Sequence, residues 1–210
     1  MICVSIAERD FYRCKEALLE SKFAELRIDQ TDFTEGEIRK LFALPVDIIA
    51  TCRPGTKSDK QRESLLLAAI SSGAAYVDIE LEADPGYHAS LLETARKYDC
   101  KIIVSHHNAE FTPPNDELDN ILDRCFERGA DIAKLVCRVH SSVDCARILS
   151  LYQNTQNILA FGLGKKGAFT RVSSLYLGAP FTYAALSAGK ETADGQPDRH
   201  HLERILDALR

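Results

Sequence analysis

Gly129-Ala-Asp-Ile-Ala-Lys-Leu-Val-Cys-Arg138 reads as a short strand with a lysine at its centre. Five of the six residues at 132–137 are apolar, and the sixth, Lys134, carries a side chain ill suited to burial. Such a lysine either runs its apolar stem past its neighbours to solvent or is an amine kept neutral to act as a nucleophile. The run by itself leaves both readings open.

The same pattern repeats on either side of it. Helical periodicity at residues 115–128 precedes the strand, and another helical segment at 142–152 follows. Across the chain, strand-like runs fall at residues 2–7, 23–29, 47–53, 76–81, 101–107, 131–137, 157–163 and 181–186. Helical segments lie between them, among them 58–72 and 87–98, and a final one at 198–209 has Asp198 as its N-cap. The segment at 170–177 is the least regular. Strands alternating with helices predict a parallel sheet, and in this length range the natural closure is a (β/α)8 TIM barrel. A doubly wound open sheet is the structural alternative, with fewer strands and a phosphate-binding turn after the first. No repeat, low-complexity tract or linker interrupts the alternation, so residues 1–210 are read as one domain.

Composition narrows the function classes. The chain is 45% hydrophobic and 27% charged with a net charge of −5 and no basic block, which argues against a nucleic-acid or anionic-membrane partner. No apolar run approaches a membrane span, and the chain opens directly in a strand without a signal peptide, so the cytoplasm is expected. The seven cysteines are scattered singly with no C-x-x-C pair, which predicts neither disulfides nor a thiolate metal site. His106-His107 cannot easily chelate one metal, because adjacent strand residues point to opposite faces, and the adjacent pair His200-His201 is not expected to do so either. No metal is expected. A homodimer formed through the outer helices is compatible with a small barrel, although no distinctive patch marks it.

Strand parity gathers the polar residues. Glu25, Arg27 and Asp29 share one face of their strand, and Thr51 with Arg53, Asp78 with Glu80, and Ser105 with His107 do the same on theirs. Most lie toward the C-terminal ends, the active-site end of a barrel. Inward polar layers can be hydrogen-bonded filler. Burying Glu25, Arg27, Arg53, Glu80, His107 and Lys134 together without a function would nevertheless be costly, and this convergence favours the nucleophile reading of Lys134. His107, at a strand end, is a candidate general acid/base whose Nδ1–H could be accepted by Glu80. A lysine beside a His–Glu pair suits Schiff-base chemistry followed by proton transfer.

Two loops complete the reading. Phe161-Gly-Leu-Gly-Lys-Lys-Gly-Ala-Phe-Thr-Arg171 contains a formal G-x-G-x-x-G, but after the seventh strand rather than the first. In a barrel that loop often binds an anion on backbone N–H groups, and Arg171 points to a carboxylate, with a surface arginine as the plain alternative. The polar stretch from Leu186 to Pro197 lies where a lid would be.

In their order these pieces resemble the type I 3-dehydroquinate dehydratases over essentially the whole chain. The stretches that carry the resemblance are Glu25-Leu-Arg-Ile-Asp29, Ala50-Thr-Cys-Arg53, Val77-Asp-Ile-Glu80, Ile103-Val-Ser-His-His107 with Thr112-Pro113, Gly129-Ala-Asp-Ile-Ala-Lys134, Gly164-x-x-Gly167-x-x-Thr170-Arg171 and Gly195-Gln196. The resemblance implies Lys134 as the imine-forming residue and His107 as general acid/base, paired with Glu80. It implies Ser5, Glu25, Arg27 and Arg53 as ligands of substrate hydroxyl and carboxylate groups, Arg171 as the carboxylate holder, and Thr192 and Gln196 as lid residues over the ring. No cofactor is implied, because the lysine supplies the electron sink. His106 and Asn108 stand where Tyr and Asp are usual, and no glycine–glutamate motif follows Arg53. The lid reads Thr192-Ala-Asp-Gly-Gln196 where Ser-Ala-Pro-Gly-Gln is usual, and Asp194 is expected to loosen it. The rival readings are a Schiff-base aldolase of the barrel type and a non-catalytic barrel that binds a small acid.

Overall fold

The computed structural model describes residues 1–209 and bears out the alternation. The strands are β1 (Ile2–Ile6), β2 (Phe23–Arg27), β3 (Asp47–Thr51), β4 (Tyr76–Glu80), β5 (Lys101–Asn108), β6 (Ile132–Arg138), β7 (Ile158–Leu163) and β8 (Thr182–Ala185). The helices are α1 (Phe11–Leu19), α2 (Glu35–Phe42), α3 (Asp59–Ile70), α4 (Pro85–Lys97), α5 (Asn115–Glu127), α6 (Ser142–Ser150), α7 (Thr170–Tyr176) and α8 (Arg199–Ala208). The sheet order is β7-β6-β5-β4-β3-β2-β1-β8. It runs from β1 to β7 without reversing and sets β8 beside β1. This is the order of a (β/α)8 barrel, whereas a doubly wound sheet reverses at an interior strand.

The chain divides into two compact units, residues 4–103 and residues 1–3 with 104–210. In the first, β1 to β4 pair in parallel, with Ser5 opposite Glu25, Arg27 opposite Thr51 and Thr51 opposite Asp78. That register puts these polar residues on one side of the sheet. The other parity, with Leu26, Ala50, Val77 and Ile79, is fully buried. Helix α3 starts on a capping box between Ser58 and Gln61 and buries Leu65, Leu66, Ala69 and Ile70 on one stripe. Arg62 continues that stripe by one turn and is buried with it. Each such leucine or isoleucine contributes about 1.5–3 kcal/mol by leaving water.

In the second unit β6 and β7 pair in parallel, with Lys134 opposite Leu159 and Val136 opposite Phe161. Ala133, Leu135 and Cys137 fill the other face of β6 and are fully buried. A capping box between Ser141 and Asp144 starts α6 three residues after that strand ends. Asp198 caps α8 as expected, accepting from the His201 backbone N–H.

Several strands end earlier than their hydrophobic pattern suggests. Arg53 lies two residues past the end of β3, and Asp29 falls in a 3₁₀ turn at Ile28–Gln30. The chain leaves the sheet where polar residues take over, so these side chains sit on turns at the strand ends. Among the described residues, no helix is long and apolar enough to cross a membrane.

Candidate active site

The polar residues of the first unit form a network of matched charges. Glu25 is buried and accepts from two hydroxyls, Ser5 Oγ at 2.7 Å and Thr51 Oγ1 at 2.9 Å. Arg27 presents a two-pronged contact to Asp29, Nε at 3.1 Å and Nη2 at 2.7 Å from its two oxygens. Arg53 donates through Nη2 to Asp78 at 2.7 Å and through Nη1 to Glu80 at 2.8 Å. Desolvation lowers the pKa of Arg53, but Asp78 and Glu80 outweigh it and the net shift is upward. Arg27 behaves likewise: desolvation lowers its pKa, and the hydrogen bond to Asp29 leads the contributions that raise it overall. Both guanidinium groups are held rigidly as cations, pre-organised for anionic or hydroxyl ligands.

Strand parity offered the Glu80 carboxylate to His107. Its two oxygens are engaged elsewhere, one by Arg53 and the other by Arg62 Nη2 at 2.6 Å. Arg62 reaches it from α3 while donating Nε to the Cys52 carbonyl at 2.8 Å and Nη1 to Asp59 at 2.9 Å. Glu80 thus orders the Arg53 guanidinium. Sequence reading passed over Arg62, although a charged residue continuing the buried stripe of α3 was the visible signal.

In the second unit Lys134 is 4% exposed, which removes the solvent-reaching alternative. Its Nζ lies 4.2 Å from the centroid of the Tyr183 ring, a residue of β8 that sequence reading did not single out. Arg171 is 1% exposed, so the surface-arginine alternative also falls. Its guanidinium stacks 4.3 Å from the centroid of Phe161. Both cations are placed by strand or helix backbone, not by loops. His107 lies near the end of β5 and is exposed, while Ser105 on the same parity is fully buried. The loop leaving β5 is tied to the end of β6, where Thr112 Oγ1 donates to the Arg138 carbonyl at 2.7 Å and Arg138 Nε to the Ala109 carbonyl at 3.3 Å.

The glycine-rich loop after β7 differs from expectation. Three glycine N–H groups in and beside it are bonded within the protein: Gly162 donates to Thr170 Oγ1 at 2.8 Å, Gly167 to the Gly164 carbonyl at 3.0 Å and Gly164 to the Asp194 carbonyl at 3.2 Å. A Cβ on Gly167 would lie 2.7 Å from the Gly162 carbonyl carbon, so this glycine serves close packing. The lid is correspondingly closed on itself. Gln196 Oε1 accepts from the Thr192 backbone N–H at 2.8 Å and from Thr192 Oγ1 at 3.1 Å. Gly195, at φ +74°, packs where a Cβ would meet the Gly164 carbonyl carbon at 2.6 Å. Asp194, expected to loosen the loop, instead anchors it by an ion pair with Arg138.

Cys14, Cys52 and Cys137 are disfavoured as nucleophiles, since burial pushes their thiols up to about 12. Among the described residues, no group of three His, Cys, Asp or Glu side chains could hold a metal ion.

The family model described as type I 3-dehydroquinase matches residues 2–210. The chain belongs to the type I 3-dehydroquinase family. A 3-dehydroquinate dehydratase of Methanococcus maripaludis is 34% identical over 219 residues, covering 100% of both chains. The crystal structure of the 3-dehydroquinate dehydratase of Aquifex aeolicus superposes with a TM-score of 0.84 at 26% identity, covering 100% of this chain and 98% of that one. That of the type I enzyme of Clostridium difficile, described with covalently modified comenic acid, gives 0.86 at 21% identity, covering 99% and 91%. As a type I 3-dehydroquinase the chain is a hydro-lyase, and its reaction is the dehydration of 3-dehydroquinate in the shikimate pathway. The aldolase and non-catalytic readings give way to that membership.

Proposed function

We propose that dehydration runs through an imine on Lys134, with His107 moving the protons. The observation that carries this is the burial of Lys134 among the apolar residues of β6, in a chain whose family dehydrates a ketone. The Nζ lone pair attacks the C3 carbonyl carbon of 3-dehydroquinate, the carbonyl π pair moves to oxygen, and proton transfer gives a carbinolamine. Loss of that oxygen as water leaves the iminium, an electron sink. His107 takes a C2 proton, whose bonding pair forms the enamine. The enamine then expels the C1 hydroxyl, which leaves as water with a proton returned by His107. Addition of water to the imine frees 3-dehydroshikimate and restores the amine. The exposure of His107 suits a base that must meet an incoming substrate.

In this reading Glu25, Arg27 and Arg53 take substrate hydroxyl and carboxylate groups, with Ser5 supporting Glu25. Arg171 holds the carboxylate by its planar fork. Glu80 acts by fixing Arg53, and Thr192 and Gln196 cover the ring. The lysine supplies the sink, so no metal or organic cofactor takes part. The reading further has the chain working as one catalytic domain in the cytoplasm and pairing as a homodimer, which sedimentation tests. The chemistry is tested by following absorbance of the conjugated product on adding 3-dehydroquinate. The native enzyme should form it and Lys134→Ala should not; full activity in Lys134→Ala would end the proposal.

A further inference from the structure

The contact between Lys134 and Tyr183 has a chemical consequence. Both residues are buried, and Nζ stands 4.2 Å from the ring centroid. A cation over an aromatic face is stabilised by the ring quadrupole, most strongly when water is excluded. The ring is also held in place. Phe181 meets it edge-on with centroids 5.5 Å apart, and Phe161 packs against it at 5.9 Å while carrying Arg171 on its own face. Tyr183 therefore presents its face to Nζ from a packed aromatic cluster.

We propose that the face of Tyr183 is the electrostatic seat of the Lys134 iminium and that Tyr183 is a catalytic residue. The inference rests on the reading of Lys134 as the imine-forming residue. When the carbinolamine breaks down, the nitrogen lone pair becomes the second C–N bond. The C–O bond breaks with its electron pair, the protonated oxygen leaves as water, and a positive charge remains on the C=N unit. The nitrogen of that unit is the atom already over the ring. A carboxylate in the same place would hold the lysine's proton and compete for it. A ring accepts no proton and holds the resting ammonium less tightly than a carboxylate would, so it opposes the attack less, and the same face meets the positive charge that develops on the iminium. The benefit belongs to the step in which charge develops.

The test places phenylalanine at position 183 carrying none, one, three or five ring fluorines, a series that keeps the shape and progressively removes the negative face. The readouts are the rate of covalent trapping by borohydride in the presence of 3-dehydroquinate, and kcat. The logarithm of the trapping rate should fall stepwise along the series, by about ten- to thirtyfold in all, while the thermal midpoint stays level. Tyr183→Leu should show a comparable loss, but the fluorinated series keeps the test independent of its folding. A flat series overturns the proposal, as does a loss of rate that tracks a loss of thermal stability. If the unsubstituted enzyme yields no adduct, or an adduct away from Lys134, the underlying reading fails instead.

Discussion

The cations proposed to act in the two units have contrasting neighbours. In residues 4–103, Arg27, Arg53 and Arg62 are clamped by Asp29, Asp78 and Glu80. In residues 104–210, Lys134 and Arg171 lie over the faces of Tyr183 and Phe161. A carboxylate clamp fixes both charge and orientation, as a binding group requires. An aromatic face also stabilises a cation, but it accepts no proton and holds an ammonium less tightly than a carboxylate does, which suits a nucleophile better. On the proposed roles, Arg27 and Arg53 hold substrate from carboxylate clamps, whereas Lys134 reacts from an aromatic face and Arg171 holds the carboxylate from another.

The sharpest way to break this division is at the proton shuttle. His107→Ala should still form the imine but lose about 10²–10⁴-fold in kcat, seen as a trapped adduct without product absorbance; unchanged kcat would move the acid/base role elsewhere. Next is the clamp. Asp78→Ala leaves the Arg53 guanidinium short of a buried partner and should cost about 3–5 kcal/mol of stability by denaturant unfolding. A loss below ~1 kcal/mol would mean the clamp is not a buried ion pair in energetic terms.

A smaller effect is expected one layer out. In Arg62→Lys a compact ammonium cannot serve the Cys52 carbonyl, Asp59 and Glu80 at once. Stability should drop by about 2 kcal/mol, and KM should rise more than kcat falls, because Arg53 loses its order rather than the chemistry its base. Equal loss in both parameters would place Glu80 closer to the reaction than this account allows. The mildest change is Asp194→Ala, since the Asp194 side chain is 61% exposed. That exposed ion pair should contribute no more than about 1 kcal/mol and be screened by salt. Steady-state rates should shift less than about fivefold, from the same small energy, and 1 M salt should reproduce the shift in the native enzyme.

Much of this was legible in the chain itself. The alternation of apolar runs fixed the barrel, and side-chain period two collected Glu25, Arg27, Arg53 and Glu80 on one side. Parity identifies a face but not a neighbour along it. It offers Glu80 to His107, whereas Arg53 and Arg62 donate to the two Glu80 oxygens. Tyr183 escaped notice because in a short apolar strand an aromatic residue looks like core, and its packing against Lys134 depends on how β6 and β8 place their side chains. The lid misled for a related reason. Exchanging Pro for Asp predicts freedom locally, but the partner of Asp194 is Arg138, 56 residues away in sequence. Tertiary contacts of that separation leave no local trace.

The central claim is that Lys134 is the nucleophile. Borohydride reduction in the presence of 3-dehydroquinate, followed by proteolysis and mass spectrometry, tests it most directly. The account predicts one stable adduct, on the peptide containing Lys134 and on that residue within it. An adduct on another residue, or none from an enzyme that turns over, would contradict it.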